Sequence, residues 1–421
     1  MKKNKSLKWR KLDNSAKIFP IISNKKFSSV FRISAILKEN IDEKILKQAV
    51  DKALLKFSSF KVMLKKGFFW YYLEANTKEP IIEIENNYPC KYIDKDTNNN
   101  YLFKVTYFNQ KINLDVFHSL TDGNSAIHFL KEIVYTYIEL KYPNDFLDSK
   151  RSDRKMIYTT DDAYIKNYDK NAGKTASSKK AYIIKGKKLP LDAISVVHGI
   201  VDLEKLREVA KQKGATVTQY LTSVLIYSIY KANYIQNNGK KPIKICIPVN
   251  LKKYFQSITI SNFFSYITVA AQMGQNNLYN LDGIIEFVKK DFAEKLTEKE
   301  IIKTMSSNVK LGNNIFIRLI PLFLKKFTVK ISYIEIRKYT TTTFSNIGRV
   351  GIIAEYKKYI DNFMILLAPE VVERIKCSAC SYENKLVFTF TSILTEKDIQ
   401  NKFFDILKEN GISIDVETNG I

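Results

Sequence analysis

Residues 117–130 read FHSLTDGNSAIHFL. The run before them, KINLDVF, alternates: Ile112, Leu114 and Val116 share one side, the pattern of a strand with one buried face. Beyond Asp122 and Gly123, the residues Ile127, Leu130, Ile133, Val134, Tyr137 and Ile138 recur at helical spacing. The stretch therefore predicts a strand, a tight turn and a helix, with His118 released at the strand's end. The chain has only three histidines, so this placement asks for a reason. An imidazole at a sheet edge facing a cleft suits general-base work, because its pKa lies near neutrality. Gly123 would permit a close backbone approach or a positive φ. A bare HxxxDG is short, however, and a surface turn with an incidental histidine produces it readily. The flanking sequence has to decide.

The chain has 421 residues, 45% hydrophobic and 13% aromatic, enough to bury a sizeable core and long enough for two domains. Residues 143–182 are polar and poorly periodic, which places the expected boundary there, between a unit at 1–165 and one at 175–421. Four scattered cysteines do not make a disulfide framework. The basic N-terminus is not followed by the roughly 7–15-residue apolar region of a signal peptide. No apolar run reaches the roughly 18 residues of a spanning helix. A cytoplasmic setting is the expectation. The net charge is +25, yet only nine of the 68 basic residues are Arg, and the lysines are scattered. Nucleic-acid readers use Arg forks and concentrate their charge, so that function is not expected. A positive field would instead attract an anionic substrate such as a coenzyme A thioester.

The rest of the chain alternates strands and helices, an α/β pattern. SSVFRISAIL (28–37) reads as a strand. Asp42 can cap a helix carrying Ile45, Leu46, Val50, Leu54 and Leu55. FKVMLKKGFFWYYLE predicts a hairpin about Lys-Lys-Gly, and YLFKVTYF pairs with KINLDVF about Asn109 and Gln110. Two helices meet at Gly214, IKICIPVNL and FFSYITVAAQM read as strands, and a helix closes the chain near its C-terminus.

The flanks of the motif carry a resemblance. KWRKLDNSAKIFP, FRISAIL, FFWYYLE, FHSLTDG, IPVNLKKYF, NFFSY and FSNIGRV occur in an order that resembles the bacterial alcohol-acetyltransferase-like branch of the chloramphenicol-acetyltransferase-like superfamily. That superfamily also includes condensation domains, plant BAHD acyltransferases and wax-ester synthases. Its motif is HHxxxDG; here Phe117 stands at the first His, while His118, Asp122 and Gly123 match. The resemblance implies two sandwich domains, each a mixed sheet with packed helices, flanking a central tunnel. It implies an O-acyltransferase using an acyl-CoA, acetyl-CoA foremost, as co-substrate, with no bound cofactor and no metal. The acceptor would be a small alcohol or amine. Two alternatives remain: a condensation-like enzyme fed by an acyl carrier protein, and a non-catalytic binding member of the fold.

The same resemblance assigns roles. His118 would be the general base and Asp122 the organiser of its loop. The family pairs this Asp with an Arg, for which Arg32 is the first candidate and Arg349 the second. The oxyanion needs donors; the candidates are the Gly123 N–H, Ser345 and Asn346. Asn262 resembles a residue of the block that crosses between the domains, and Asn250 is a weaker tunnel candidate.

Other residues read as structure. His128 falls off the apolar stripe of its helix and is expected to face solvent, and His198 reads as a satisfied strand histidine. Cys377 and Cys380 form a CxxC without partners for a metal. Trp9, Trp70 and the aromatic run from Phe68 to Tyr72 are expected in the core. The most apolar segment, IFIRLIPLFLKKFTVKISYI (315–334), reads as a core-packed helix pair broken at Pro321. An interfacial helix at a membrane surface is the less favoured reading.

Overall fold

The motif strand, Lys111–Phe117, is the middle of a five-stranded sheet. The order is Ile360–Leu367, Val30–Leu37, Lys111–Phe117, Phe103–Phe108 and Ile82–Ile84. This description rests on a computed structural model, which covers residues 9–147, 158–173, 179–274 and 278–421. Neighbours in this sheet are antiparallel except the last pair, which is parallel. The register sets Val30 opposite Phe117 and Arg32 opposite Asp115. The outer strand Ile360–Leu367 arrives from far along the chain, so the C-terminal half completes the sheet that carries the motif.

Two helices cover this sheet. Glu43–Lys56 starts where the Asp42 carboxylate accepts from the Ile45 N–H, as its sequence predicts. The motif helix, Gly123–Lys141, buries all six residues of its predicted stripe. Leu55, expected on the buried stripe of the first helix, is instead 81% exposed, because the covered face ends at Leu54. The residues Ile33, Leu46, Val50, Leu114, Phe129 and Ile133 lie at the centre of this core.

A second sheet has seven strands, in the order Phe264–Ala271, Ile243–Asn250, Thr342–Arg349, Ile375–Tyr382, Lys385–Ser392, Ser195–Asp202 and Ile414–Thr418. Thr342–Arg349 runs parallel to both its neighbours and the other pairs are antiparallel. Helices Leu203–Gln212, Val217–Ile229, Leu281–Lys295 and Asp398–Glu409 build its core around Leu221, Leu225, Ile285 and Phe403. Gly214 ends the first of these helices at φ +63, the left-handed conformation that favours glycine. Thr216 and Gln219 then form a reciprocal capping box for the next helix. The polar region 143–182 lies partly outside the described residues; within it Pro143–Phe146 and Ala163–Lys166 form single turns of helix.

A small third sheet joins Trp9–Lys11, Tyr71–Ala75 and Val62–Lys66, the last two being the predicted hairpin. Here two expectations are corrected. Trp9 is exposed, and so are the Phe68 and Phe69 side chains, because the hairpin tip meets the rest of the chain through its backbone carbonyls and not through these rings. The segment after Ile315 does break at Pro321, into Ile315–Leu319 and Leu322–Arg337, but it is not core-packed. Phe323, Leu324, Phe327 and Ile331 all face solvent.

Candidate active site

His118 leaves the motif strand at its end, where its backbone N–H donates to the Ser29 carbonyl on the neighbouring chain segment. Its ring is enclosed by aromatic side chains. Phe19 stacks on it with centroids 4.9 Å apart, Phe31 lies at 4.7 Å, and Phe264 at 5.8 Å. Phe19 and Phe31 belong to the first half of the chain and Phe264 to an edge strand of the seven-stranded sheet. The imidazole thus sits where the two sheet systems meet. Burial behind these rings pushes its pKa down to about 4, while the hydrogen bond with Asn262 pulls the other way. At neutral pH the ring is uncharged.

Asn262 is the first polar neighbour of that ring. Its Oδ1 lies 3.4 Å from His118 Nδ1. Its Nδ2 donates to the His118 carbonyl at 3.0 Å and to Asp13 Oδ2 at 3.0 Å. Two acceptors on the nitrogen side fix the amide's orientation, so the side facing the imidazole is an oxygen. Nδ1 must then carry the proton, which leaves Nε2 with its lone pair bare. This tautomer follows from the hydrogen-bond network. Asp13 supports the arrangement from below: Oδ1 accepts from the Ala16 N–H at 2.7 Å, and Oδ2 also accepts from the Asn262 N–H at 3.1 Å. Burial raises the Asp13 pKa to about 6 against these bonds.

Asp122 does not face the imidazole nitrogens as a base would. Its Oδ1 caps the motif helix, accepting from the Ser125 N–H at 3.0 Å, and its Oδ2 accepts from the Phe263 N–H at 3.0 Å. It clamps the start of the motif helix to the segment carrying Asn262. Thr121 adds to the clamp by donating to the Ile260 carbonyl at 2.5 Å.

The cation on Asp122 is neither of the two expected. Arg32 makes a bidentate pair with Asp115, at 3.0 and 2.7 Å, and also bonds Glu85. The register explains this: Arg32 and Asp115 are direct cross-strand neighbours, so the side chain meets Asp115 before it could reach the turn. Arg349 lies exposed at the end of its strand. Lys252 holds Asp122 instead, with Nζ 2.8 Å from Oδ2 and 2.6 Å from the Ser125 hydroxyl. Asn250 sets Lys252 in place, since its side chain accepts from the Lys252 N–H and caps the short helix Leu251–Tyr254. Asn250 is therefore a cap.

Gly123 opens the motif helix without a positive φ, contrary to one of its expected uses. A Cβ there would touch only the Ile347 side chain, at 3.5 Å. That contact brings the FSNIGRV strand against the head of the motif helix. On that strand Asn346 donates to the Thr218 hydroxyl at 3.1 Å and accepts from the Gly348 N–H at 2.9 Å. Both sides of its amide are engaged across a β-bulge, so it is poorly placed as an oxyanion donor. Ser345, opposite Ser378 in the sheet, is half-buried.

The remaining histidines differ. His198 is buried in its strand, with Nδ1 2.8 Å from the Thr389 hydroxyl, a satisfied strand histidine as expected. His128 is not on a solvated face: it is half-buried 6.0 Å from the Tyr158 ring, and burial pushes its pKa to about 4. Cys377 and Cys380 are buried, and both thiols are pushed upward by burial.

Sequence reading missed Lys252 and Asp13. Both stand inside blocks that mark the resemblance, IPVNLKKYF and KWRKLDNSAKIFP. The available signal was a charge argument: a buried Asp122 needs a cation, and IPVNLKKYF ends its strand beside the crossing block.

Residues 192–274 match the model of the alcohol acetyltransferase family. No curated protein sequence is significantly similar to this chain. Among solved structures, the F. sporotrichioides TRI101 complex with coenzyme A and T-2 aligns at TM-score 0.64 and 8% identity, covering 98% of this chain and 100% of that one. Polyketide synthase associated protein 5 from Mycobacterium tuberculosis aligns at 0.59 and 14% identity, covering 94% and 96%. The wax ester synthase/diacylglycerol acyltransferase from Marinobacter aquaeolei VT8 aligns at 0.57 and 10% identity, covering 96% and 100%. The chain thus has the fold of the chloramphenicol-acetyltransferase-like acyltransferase and condensation superfamily, with an alcohol acetyltransferase family match over residues 192–274.

Proposed function

We propose that this protein is an acyl-CoA-dependent O-acyltransferase that moves an acetyl or other short acyl group from coenzyme A to an alcohol. The observation that carries the reading is the His118–Asn262 pair. The orientation of the Asn262 amide supports a protonated Nδ1, and burial keeps the ring neutral, so Nε2 is free to accept a proton. In the proposed step the acceptor hydroxyl gives its proton to Nε2 as its oxygen attacks the thioester carbonyl. The tetrahedral oxyanion collapses, the C–S bond breaks, and the imidazolium returns the proton to the departing thiolate. Direct transfer of this kind needs no acyl-enzyme. The Gly123 N–H at the head of the motif helix and the Ser345 hydroxyl are the donors proposed for the oxyanion. Asn262 would orient the base, with Asp13 behind it, while Lys252 and Asp122 hold the turn. The fold, the family match and a neighbour solved with coenzyme A support this reading. The test is to mix purified protein with acetyl-CoA and a panel of alcohols and follow free thiol. Acceptor-dependent thiol release is expected. No release above background with any acceptor would contradict the proposal.

A further inference from the structure

The helix Leu322–Arg337 presents two faces of opposite character. Its inner face is fixed by polar contacts. Arg337 forms bonds of 3.0 and 3.1 Å to Glu370, Lys376 reaches Glu370 at 2.6 Å, and the Tyr333 hydroxyl lies 3.3 Å from the same carboxylate. Lys325, buried, donates to the carbonyls of Phe69 and Arg318 and stands 3.7 Å over the Trp70 ring. The outer face carries Phe323, Leu324, Phe327, Ile331 and Ile334 at helical spacing, with Phe323 64% and Phe327 72% exposed. A soluble surface rarely strings large apolar side chains together in this way.

A second element extends the patch. The hairpin tip docks on the start of this helix through the Leu322 N–H, which donates to the Phe68 carbonyl at 2.9 Å. That contact sets the Phe68 ring, 70% exposed, beside the head of the apolar row. The two elements share a charge pattern as well. Residues 315–334 contain Arg318, Lys325, Lys326 and Lys330 and no acidic residue, and the hairpin stretch 61–72 contains Lys61, Lys65 and Lys66 and none. Helical spacing places Lys326 and Lys330 along one border of the apolar row. The helix's only acidic residue, Glu335, lies near its far end and pairs with Lys180 and Lys338. Among the described residues no helix is long and apolar enough to cross a membrane. Such a face fits a surface that is apolar within and anionic at its boundary.

We propose that Leu322–Arg337 and the hairpin tip together form a docking face for an anionic lipid bilayer. The outer row would enter the headgroup boundary, and Lys66, Lys326 and Lys330 would meet lipid phosphates. The face is one short helix from His118: Phe19–Ile22 packs on Leu322–Arg337, and Phe19 stacks on the imidazole. Binding itself does not depend on the acyl-transfer reading.

The test is sedimentation of the full chain with phosphatidylcholine vesicles, with and without phosphatidylglycerol, at low and high salt. The protein should pellet with the anionic vesicles, less with the neutral ones, and less as salt rises. The double variant Phe323→Ser with Phe327→Ser should lower the partition roughly tenfold or more while its melting temperature and circular dichroism stay unchanged. Wild-type protein that remains in the supernatant with anionic vesicles would overturn the proposal, as would a variant that pellets equally. A solution dimer that the same variant dissolves, without vesicle binding, would assign the face to a second copy and also overturn it.

Discussion

Asn262 Oδ1 faces His118 Nδ1 because the same amide's nitrogen is held by two acceptors, the His118 carbonyl and Asp13. The pair joins residues 144 apart and links the five-stranded sheet's motif to the edge of the seven-stranded one. Asp13 is the side chain that shares in fixing this orientation, and both of its oxygens accept from N–H groups. Asp13→Asn would set an NH2 against one of these donors. A buried donor would lose its partner, at a cost of about 1–3 kcal/mol. Melting temperature should fall, and turnover should fall further than that of variants with equal destabilisation elsewhere. A variant destabilised this way that kept wild-type turnover would show that the amide's orientation is irrelevant to the rate.

Lys252 gives a graded series. Lys252→Ala leaves a buried Asp122 carboxylate without its cation, which costs about 3–5 kcal/mol for a buried pair. Lys252→Arg keeps the charge and the donors and should restore most of the stability. Denaturant midpoints for the two variants test this directly. Equal stability of the Ala variant and wild type would mean that Asp122 is held well enough by the N–H groups of Ser125 and Phe263.

Arg32 belongs to the sheet and not to the motif turn. Arg32→Ala should destabilise by about 3–5 kcal/mol, because Asp115 is left buried beside Glu85. Once folded, the variant should bind acyl-CoA and turn over near the wild-type rate at low temperature. A severe loss of turnover in a folded sample would return Arg32 to the site.

The three histidines make a clean pH experiment. Burial lowers His118 and His128 to about 4 and His198 to about 3. Their folded pKa values lie below the ordinary value near 6.5, so between these limits the unfolded chain binds protons that the folded chain does not. Their contribution to stability is present above about pH 6.5 and is lost as pH falls toward 4. Asp13 opposes this: its raised pKa means the folded state binds the extra proton between about 4 and 6. Imidazole resonances followed by NMR should show no titration between pH 6 and 8 in the folded protein and normal titration in urea. An imidazole titrating near 6.5 in the folded protein would contradict the enclosed setting of that residue.

What could be read from the sequence was local. The alternation of Ile112, Leu114 and Val116 and the stripe from Ile127 to Ile138 set the strand and helix around the motif, because both patterns follow from a single element's geometry. The charge partners were hidden for the opposite reason. Lys252 is 130 residues from Asp122, and Asp13 is 249 from Asn262, distances over which spacing carries no information. Arg32 was a plausible partner of Asp122 by residue type, and only the register shows that Asp115 stands directly in front of it. The outer helix misled for a third reason. Phe323 and Phe327 look like core residues in sequence, and hydrophobicity alone does not say whether an apolar face meets protein or solvent.

In the proposed transfer, His118 Nε2 takes the acceptor's proton. The most direct measurement is kcat of His118→Ala beside wild type, by thiol release, with the melting temperature of both. Turnover should fall by about 10²–10⁴-fold with the fold intact, the range for removing one positioned proton carrier. A folded His118→Ala protein with wild-type turnover would contradict that step and make FHSLTDG a structural turn.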